Sequence, residues 1–239
     1  MSIRLMAVSA VAMAALALPA TGAAARTPAK KTTVTKAATK KPVATTSAAR
    51  ETSSGSVIVG SANAPKKLVE YISYTCSHCA HFVEQSSEPI KPYVASGKAS
   101  VEYRSFMLNP FDFAAALLVH CGGVAKFEGN HQLVLKSQHD WIGKVQAATD
   151  AQQNAWSQGT YTQRLTAIAT DAGLIDMMQT RGITPAQSRA CLANENRQAQ
   201  LLAMNEAGEK QGVTGTPAIF INGVLQSNYA WTTIKAALD

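Results

Sequence analysis

Cys76, Ser77, His78 and Cys79 form a C-x-x-C tetrapeptide, the densest chemistry in the chain. With two residues between them, the second sulfur can attack a mixed disulfide formed on the first, so the spacing suits rapid thiol–disulfide exchange. Exchange needs a thiolate. A free cysteine titrates near about pH 8.5, and a sulfur at a helix N-terminus titrates lower, because unpaired N–H groups and the positive end of the macrodipole favour the anion. His78 can add a hydrogen bond or a charge. The same tetrapeptide also fits a structural pair or half a zinc site. Zinc needs further ligands; His81 is a candidate, but no second C-x-x-C or H-x-x-x-H completes the set. Haem attachment needs histidine directly after the second cysteine, and Ala80 stands there.

The flanking pattern supports the redox reading over the metal one. Leu68 to Tyr74 is a short, largely apolar run, expected as a buried central strand. Thr75 is expected to cap a helix running to about Tyr93, bent near Pro89 and Pro92. A strand before and a helix after is the setting of redox C-x-x-C pairs. Ser56 to Gly60 reads as an edge strand, Ser61 to Pro65 as a turn and Ala99 to Phe106 as another strand. From Asp112 to about Ala207 the pattern turns helical: Phe113–Cys121, Lys126–Trp141, Tyr161–Ala172, a helix opened by Thr184-Pro185, and Glu195–Gln211 with a weak point at Gly208. Strands return at Ala218–Ile221 and Val224–Leu225, joined by Asn222-Gly223, a strong hairpin signal. Tyr229 to Leu238 closes the chain as a helix.

The start of the chain carries an address. Arg4 supplies a positive end, Leu5 to Leu18 an apolar stretch, and Ala23-Ala24-Ala25 a cleavage site, so residues 1–25 read as a signal peptide. An uncleaved membrane anchor is the alternative, but the run is short for a span of about 20 residues. Export implies an oxidising compartment, the periplasm. Residues 26–55 read as a disordered basic linker, too poor in large apolar side chains to offset the entropy of ordering. Their seven basic residues against Glu51, with Arg4, account for the whole formal charge of +7. Residues 57–239 are therefore neutral overall, and nucleic acid is not an expected partner. The linker reads as a solvated spacer or as a contact to a membrane or envelope surface.

Taken together, the chain from about Ser56 to Asp239 resembles the DsbA family of exported thiol–disulfide oxidoreductases. The residues that carry the resemblance are Ala64-Pro65, Val69-Glu70-Tyr71, Cys76-Ser77-His78-Cys79, and Gly215-Thr216-Pro217 ahead of Phe220-Ile-Asn-Gly. The resemblance implies an α/β, thioredoxin-like fold over 56–239 with an inserted helical subdomain at about 110–207. It implies that Cys76 is the exposed nucleophile and Cys79 its buried partner. Pro217 matches a cis-proline facing the sulfurs, which leaves the Thr216 backbone free for a substrate strand; an ordinary turn is the plain alternative. Glu70 matches a buried acid that moves a proton to and from Cys79; a solvent-facing glutamate is its alternative. Two positions depart from the family. Ser77 replaces its usual proline, and Thr216 stands where valine is commonest, threonine being more usual in isomerase-type relatives.

The resemblance further implies a second disulfide, Cys121–Cys191, in the helical subdomain, as in some branches of the family; two buried free thiols are the alternative. His120, His131 and His139 fit no metal spacing and read as core or surface histidines. The expected function is oxidation of newly exported, reduced proteins through Cys76 and Cys79, with no cofactor beyond the cysteine pair and no metal. The family implies reoxidation by a membrane quinone-linked, DsbB-like partner. The rival readings are a disulfide isomerase or reductase, and a non-catalytic thioredoxin-like chaperone or metal carrier.

Overall fold

The computed structural model describes residues 49–239. The expected signal peptide and most of the expected linker, through residue 48, lie outside the described residues.

A six-stranded mixed sheet forms one layer, with strand order β1-β2-β4-β3-β5-β6. Strand β3 (Lys66–Ile72) lies centrally, parallel to β4 (Ala99–Ser105) and antiparallel to β5 (Ala218–Ile221). Its alternation explains its place. Leu68, Glu70 and Ile72 share one face, and Val69 and Tyr71 share the other. Strand β2 (Val57–Gly60) pairs with β4, and a two-residue strand β1 (Arg50–Glu51) pairs outside β2. Two expectations are corrected here. The linker does not run to residue 55, because Arg50 and Glu51 join the sheet, where Arg50 Nη1 donates to the Gly60 carbonyl at 3.0 Å and Arg197 Nη2 to Glu51 at 2.7 Å. For the same reason Val57–Gly60 is not the sheet edge.

The crossover from β3 to β4 is two helices rather than one bent helix. Helix α1 (Ser77–Ser86) stops before Pro89, and α2 (Lys91–Ala95) restarts with Pro92 in its first turn, where a missing N–H costs nothing. The hairpin from β5 to β6 (Val224–Leu225) turns through Asn222 and Gly223, both with positive φ (51° and 82°), as an Asn-Gly turn of this kind requires. The last helix, α11 (Trp231–Leu238), returns beside the crossover, and Lys66 Nζ donates to the Ala237 carbonyl at 2.6 Å.

Between β4 and β5 the chain is helical throughout, from α3 (Pro110–Val119) to α10 (Glu195–Lys210). Helix α3 is the axis of this subdomain: every residue from Asp112 to Val119 is buried. Around it pack α4 (Val124–Lys136), α7 (Tyr161–Asp171), α8 (Leu174–Thr180) and α9 (Pro185–Leu192). Capping boxes at Thr149, Thr160 and Thr184 open α6 (Asp150–Ala155), α7 and α9. Helix α5 (Gln138–Gln146) is separated from α4 by the single residue Ser137. Gly208 is not a weak point in α10. A Cβ there would lie 2.9 Å from Tyr71 and from Phe106, so the missing side chain lets the helix close on the far face of the sheet.

Candidate active site

Cys76 follows β3 by four residues and occupies the N-cap position of α1, with extended φ and ψ. Thr75 does not cap the helix. Its hydroxyl is engaged sideways, accepting from Asn109 Nδ2 at 2.9 Å and lying 3.2 Å from Ser73 Oγ. The free N–H groups of the first turn are therefore left to the Cys76 sulfur itself. Its pKa is lowered to about 5, first by the hydrogen bond from the Cys79 thiol, against the opposing effect of burial, then by Thr216 and the N–H groups of Cys79 and His78. Cys79 is fully buried, and that burial drives its pKa far upward, the neighbouring Cys76 adding to the effect. Both are free thiols in this structure.

The Thr216–Pro217 peptide is cis. The Thr216 carbonyl accepts from Cys76 Sγ at 3.2 Å. Thr216 Oγ1, beside the thiol, is buried without a partner among the described residues, and so is available as a donor once that sulfur ionises. A cleft of about 280 Å³ opens here, lined by Val213, Gly215, Thr216, Pro217, Leu225 and Tyr229. Ser77 and His78 are exposed on the first turn of α1, and the His78 ring lies 5.7 Å from that of Tyr229.

Glu70 is buried, not solvent-facing, with 4 % of its surface exposed. It lies between Tyr103 of β4 and Ile219 of β5, and burial, with Glu128 nearby, pushes its pKa to about 8. No hydrogen bond joins it to Cys79; the two share Tyr74 as a neighbour, each raising that phenol's pKa. Away from the site, Cys121 and Cys191 are joined by a disulfide, with Cα atoms 5.7 Å apart, tying the end of α3 to α9. His120 and His131 are buried, and that burial lowers both to about 3, so they are neutral. His131 Nδ1 pairs with Tyr74 Oη at 3.0 Å, while His139 is exposed.

Three residues of the helical subdomain that spacing alone did not single out hold the active-site loop. Gln138 Nε2 donates to the carbonyls of Tyr74 and Cys76 at 2.8 and 2.9 Å. Asp112 accepts from the Tyr74 N–H at 2.7 Å, and Asn109 reaches Thr75. The Asn109-Pro110-x-Asp112 pattern announces a helix start, but not that this start abuts Cys76.

A thioredoxin family model matches residues 52–239. The chain belongs to this thioredoxin family. It is similar to a solved protein-disulfide isomerase from Novosphingobium aromaticivorans, with 35 % identity, a TM-score of 0.71, and coverage of 76 % of this chain and 96 % of that one. The fold also matches α-DsbA1 of Wolbachia pipientis, at 22 % identity and a TM-score of 0.56, over 76 % of this chain and 88 % of that one. Among curated proteins, a Rickettsia conorii protein named "putative protein-disulfide oxidoreductase" is 29 % identical over 186 residues, 77 % of this chain. The match spans 59 % of that relative's length.

Proposed function

We propose that this chain is an exported protein thiol–disulfide oxidoreductase that acts as a dithiol oxidase on reduced, newly exported proteins. The observation that carries the reading is the split between the two sulfurs at the start of α1: the contacts around Cys76 lower its pKa to about 5, so that it is a thiolate at neutral pH, while the buried Cys79 stays protonated. A substrate thiolate attacks Cys76 of the oxidised pair, and the Cys76–Cys79 bond breaks. The mixed disulfide lies against Thr216 and Pro217, with the cleft toward Tyr229 taking flanking substrate residues. A second substrate thiolate then attacks the substrate's own sulfur and releases Cys76 as a thiolate, a good leaving group because its pKa is low. Stabilising that thiolate stabilises the reduced form, which makes the oxidised form an oxidant. Glu70, near its pKa at neutral pH, serves as the proton acceptor and donor for Cys79 through the shared Tyr74 region. Turnover requires reoxidation, assigned by family resemblance to a membrane quinone-linked, DsbB-like partner. The basic stretch before residue 49 would hold the domain near an anionic membrane or envelope surface. The periplasm is the compartment that suits all of this.

A second reading, as an isomerase, is favoured by the name of the 35 %-identical relative and by Thr216 beside the thiol. The experiment that separates them is the equilibrium of the Cys76–Cys79 pair with a glutathione buffer. A potential near the DsbA reference of about −120 mV supports the oxidase; one near the thioredoxin reference of about −270 mV defeats it. Rescue of scrambled ribonuclease without added oxidant would support the isomerase. Retained activity after Cys76→Ser would instead support a non-catalytic chaperone.

A further inference from the structure

Asp112 is a fully buried carboxylate beside the active-site loop, on a different element from Glu70. It belongs to the first turn of α3, where Asn109 Oδ1 accepts from its N–H at 3.0 Å. Its two oxygens are divided between two segments. Oδ1 accepts from the N–H of Tyr74, two residues before Cys76, at 2.7 Å; Oδ2 accepts from the N–H of Leu108, at 2.9 Å, in the segment leaving β4. A carboxylate that holds two backbone donors is satisfied as an anion, yet its turn is bonded to the two residues that precede Cys76, Asp112 to the Tyr74 N–H and Asn109 to the Thr75 hydroxyl, which sets it close to the charge that forms on Cys76. The other titratable group facing it is Tyr74, which in turn meets Cys79, Glu70 and the neutral His131.

We propose that Asp112 is a positioning residue whose protonation is linked to the redox state of the cysteine pair: it binds a proton more tightly when Cys76 is a thiolate and releases it when the disulfide forms. The proposal rests on the reading of Cys76 and Cys79 as a redox pair. The balance is complete without another reactant. When a substrate dithiol is oxidised, its two sulfurs bond to each other, the Cys76–Cys79 bond breaks, and two electrons pass to the pair. Of the two protons lost by the substrate, Cys79 takes one and leaves Cys76 as thiolate. The second is released, and Asp112 captures a share of it over the pH range in which it titrates. That range is mildly acidic, because burial, with a smaller contribution from Cys76, raises the Asp112 pKa to about 6 against the hydrogen bonds from Ser73, Leu108 and Tyr74. The helical subdomain, which holds the active-site loop by hydrogen bonds to Tyr74, Thr75 and the Cys76 carbonyl, is thereby joined to the thiol electrostatically as well.

The test uses the intact protein labelled with carbon-13 at aspartate carboxyls, reduced and then oxidised, each state verified by mass. The Asp112 signal, assigned by its loss in Asp112→Asn, should titrate higher in the reduced protein by about half a unit, a roughly threefold change in proton affinity. Equal midpoints in the two states would overturn the proposal. Failure of the pair to oxidise would show in the mass and would sink the redox reading itself. In folded Asp112→Asn, the pH profile of Cys76 alkylation should move to lower pH, because the opposing charge is gone. A variant that only loses stability, with the profile unmoved, would mean that Asp112 is structural and the linkage absent.

Discussion

Replacing Glu70 by glutamine should stabilise the protein, and by an amount that depends on pH in a defined way. An unfolded glutamate titrates near 4.5, the folded one near 8. Between those values the folded state binds the extra proton, so folding loses stability as pH rises. The sign is that of a raised acid: there is no penalty below about pH 4.5, a growing one through neutrality, and the full one above about pH 8. At pH 7 the gap of about 2.5 pH units from the unfolded value corresponds to about 3 kcal/mol, at about 1.4 kcal/mol per unit. Glutamine has the shape of the protonated acid and no charge to desolvate, so Glu70→Gln should recover most of that. Urea unfolding of parent and variant at about pH 4.5, 7 and 9 reads it directly. The two should coincide at the acid end and separate progressively with pH. Parallel stability curves across the whole range would refute the argument, because they would mean that Glu70 is not a buried acid kept neutral by its surroundings.

Other outcomes follow from single contacts. In Cys79→Ala the largest effect holding Cys76 down, the hydrogen bond from the Cys79 thiol, is gone. The alkylation midpoint of Cys76 should rise from about 5 toward the ordinary thiol value, and an unchanged midpoint would leave Thr216 and the N–H groups of the first turn as the causes. Gly208→Ala sets two effects against each other. Helix propensity alone predicts a gain of about 1 kcal/mol, but a Cβ 2.9 Å from Tyr71 and Phe106 predicts a loss of about 1–3 kcal/mol. Denaturation gives the sign, and a stabilised variant would mean that α10 can move off the sheet. Replacing Cys121 and Cys191 together by serine opens a loop spanning 70 residues and should cost about 2–4 kcal/mol, seen as a lowered urea midpoint under non-reducing conditions. Equal midpoints for parent and variant would mean the bridge is not formed in solution.

The chemistry was more legible in the sequence than its support. The C-x-x-C, the strand before it and the Asn-Gly hairpin are local signals, each set by a few adjacent residues. Strand β3 was readable because its short run is largely apolar, the pattern of a buried strand. The errors arose where tertiary contacts decide. Thr75 has the chemistry of a cap, but Asn109, 34 positions later, claims its hydroxyl. Gly208 looks like a helix defect until Tyr71 and Phe106 are found against it. Helix α6 buries none of its residues, so it leaves no apolar period to find. Gln138 and Asp112 are ordinary polar residues in sequence. Only the docking of α3 and α5 against the loop makes them its clamps. Arg50 and Glu51 could not be separated from the linker because two residues carry no periodicity, and their place depends on pairing with β2.

The asymmetry of the two sulfurs bears on the direction of exchange. In a mixed disulfide at Cys76 two attacks compete. Cys79 can attack Cys76, which expels the reduced substrate and undoes the reaction. Alternatively, the substrate's second thiolate can attack its own sulfur and expel Cys76, which completes oxidation. The first route needs the Cys79 thiolate, and the complete burial of Cys79 makes that form scarce. The second route needs a good leaving group, and the low pKa of Cys76 supplies it. Both effects act in the same direction. They share one contact, the hydrogen bond from the Cys79 thiol to Cys76, which favours one anion and disfavours the other; burial penalises Cys79 further, while Thr216 and the N–H groups at the start of α1 favour Cys76. On the proposed reading, then, a change confined to the Thr216 side should weaken release of Cys76 while leaving escape through Cys79 intact, shifting the chain from net oxidation toward reversible exchange. The isomerase reading would require that same balance from the outset, which is why the potential of the pair decides between the two.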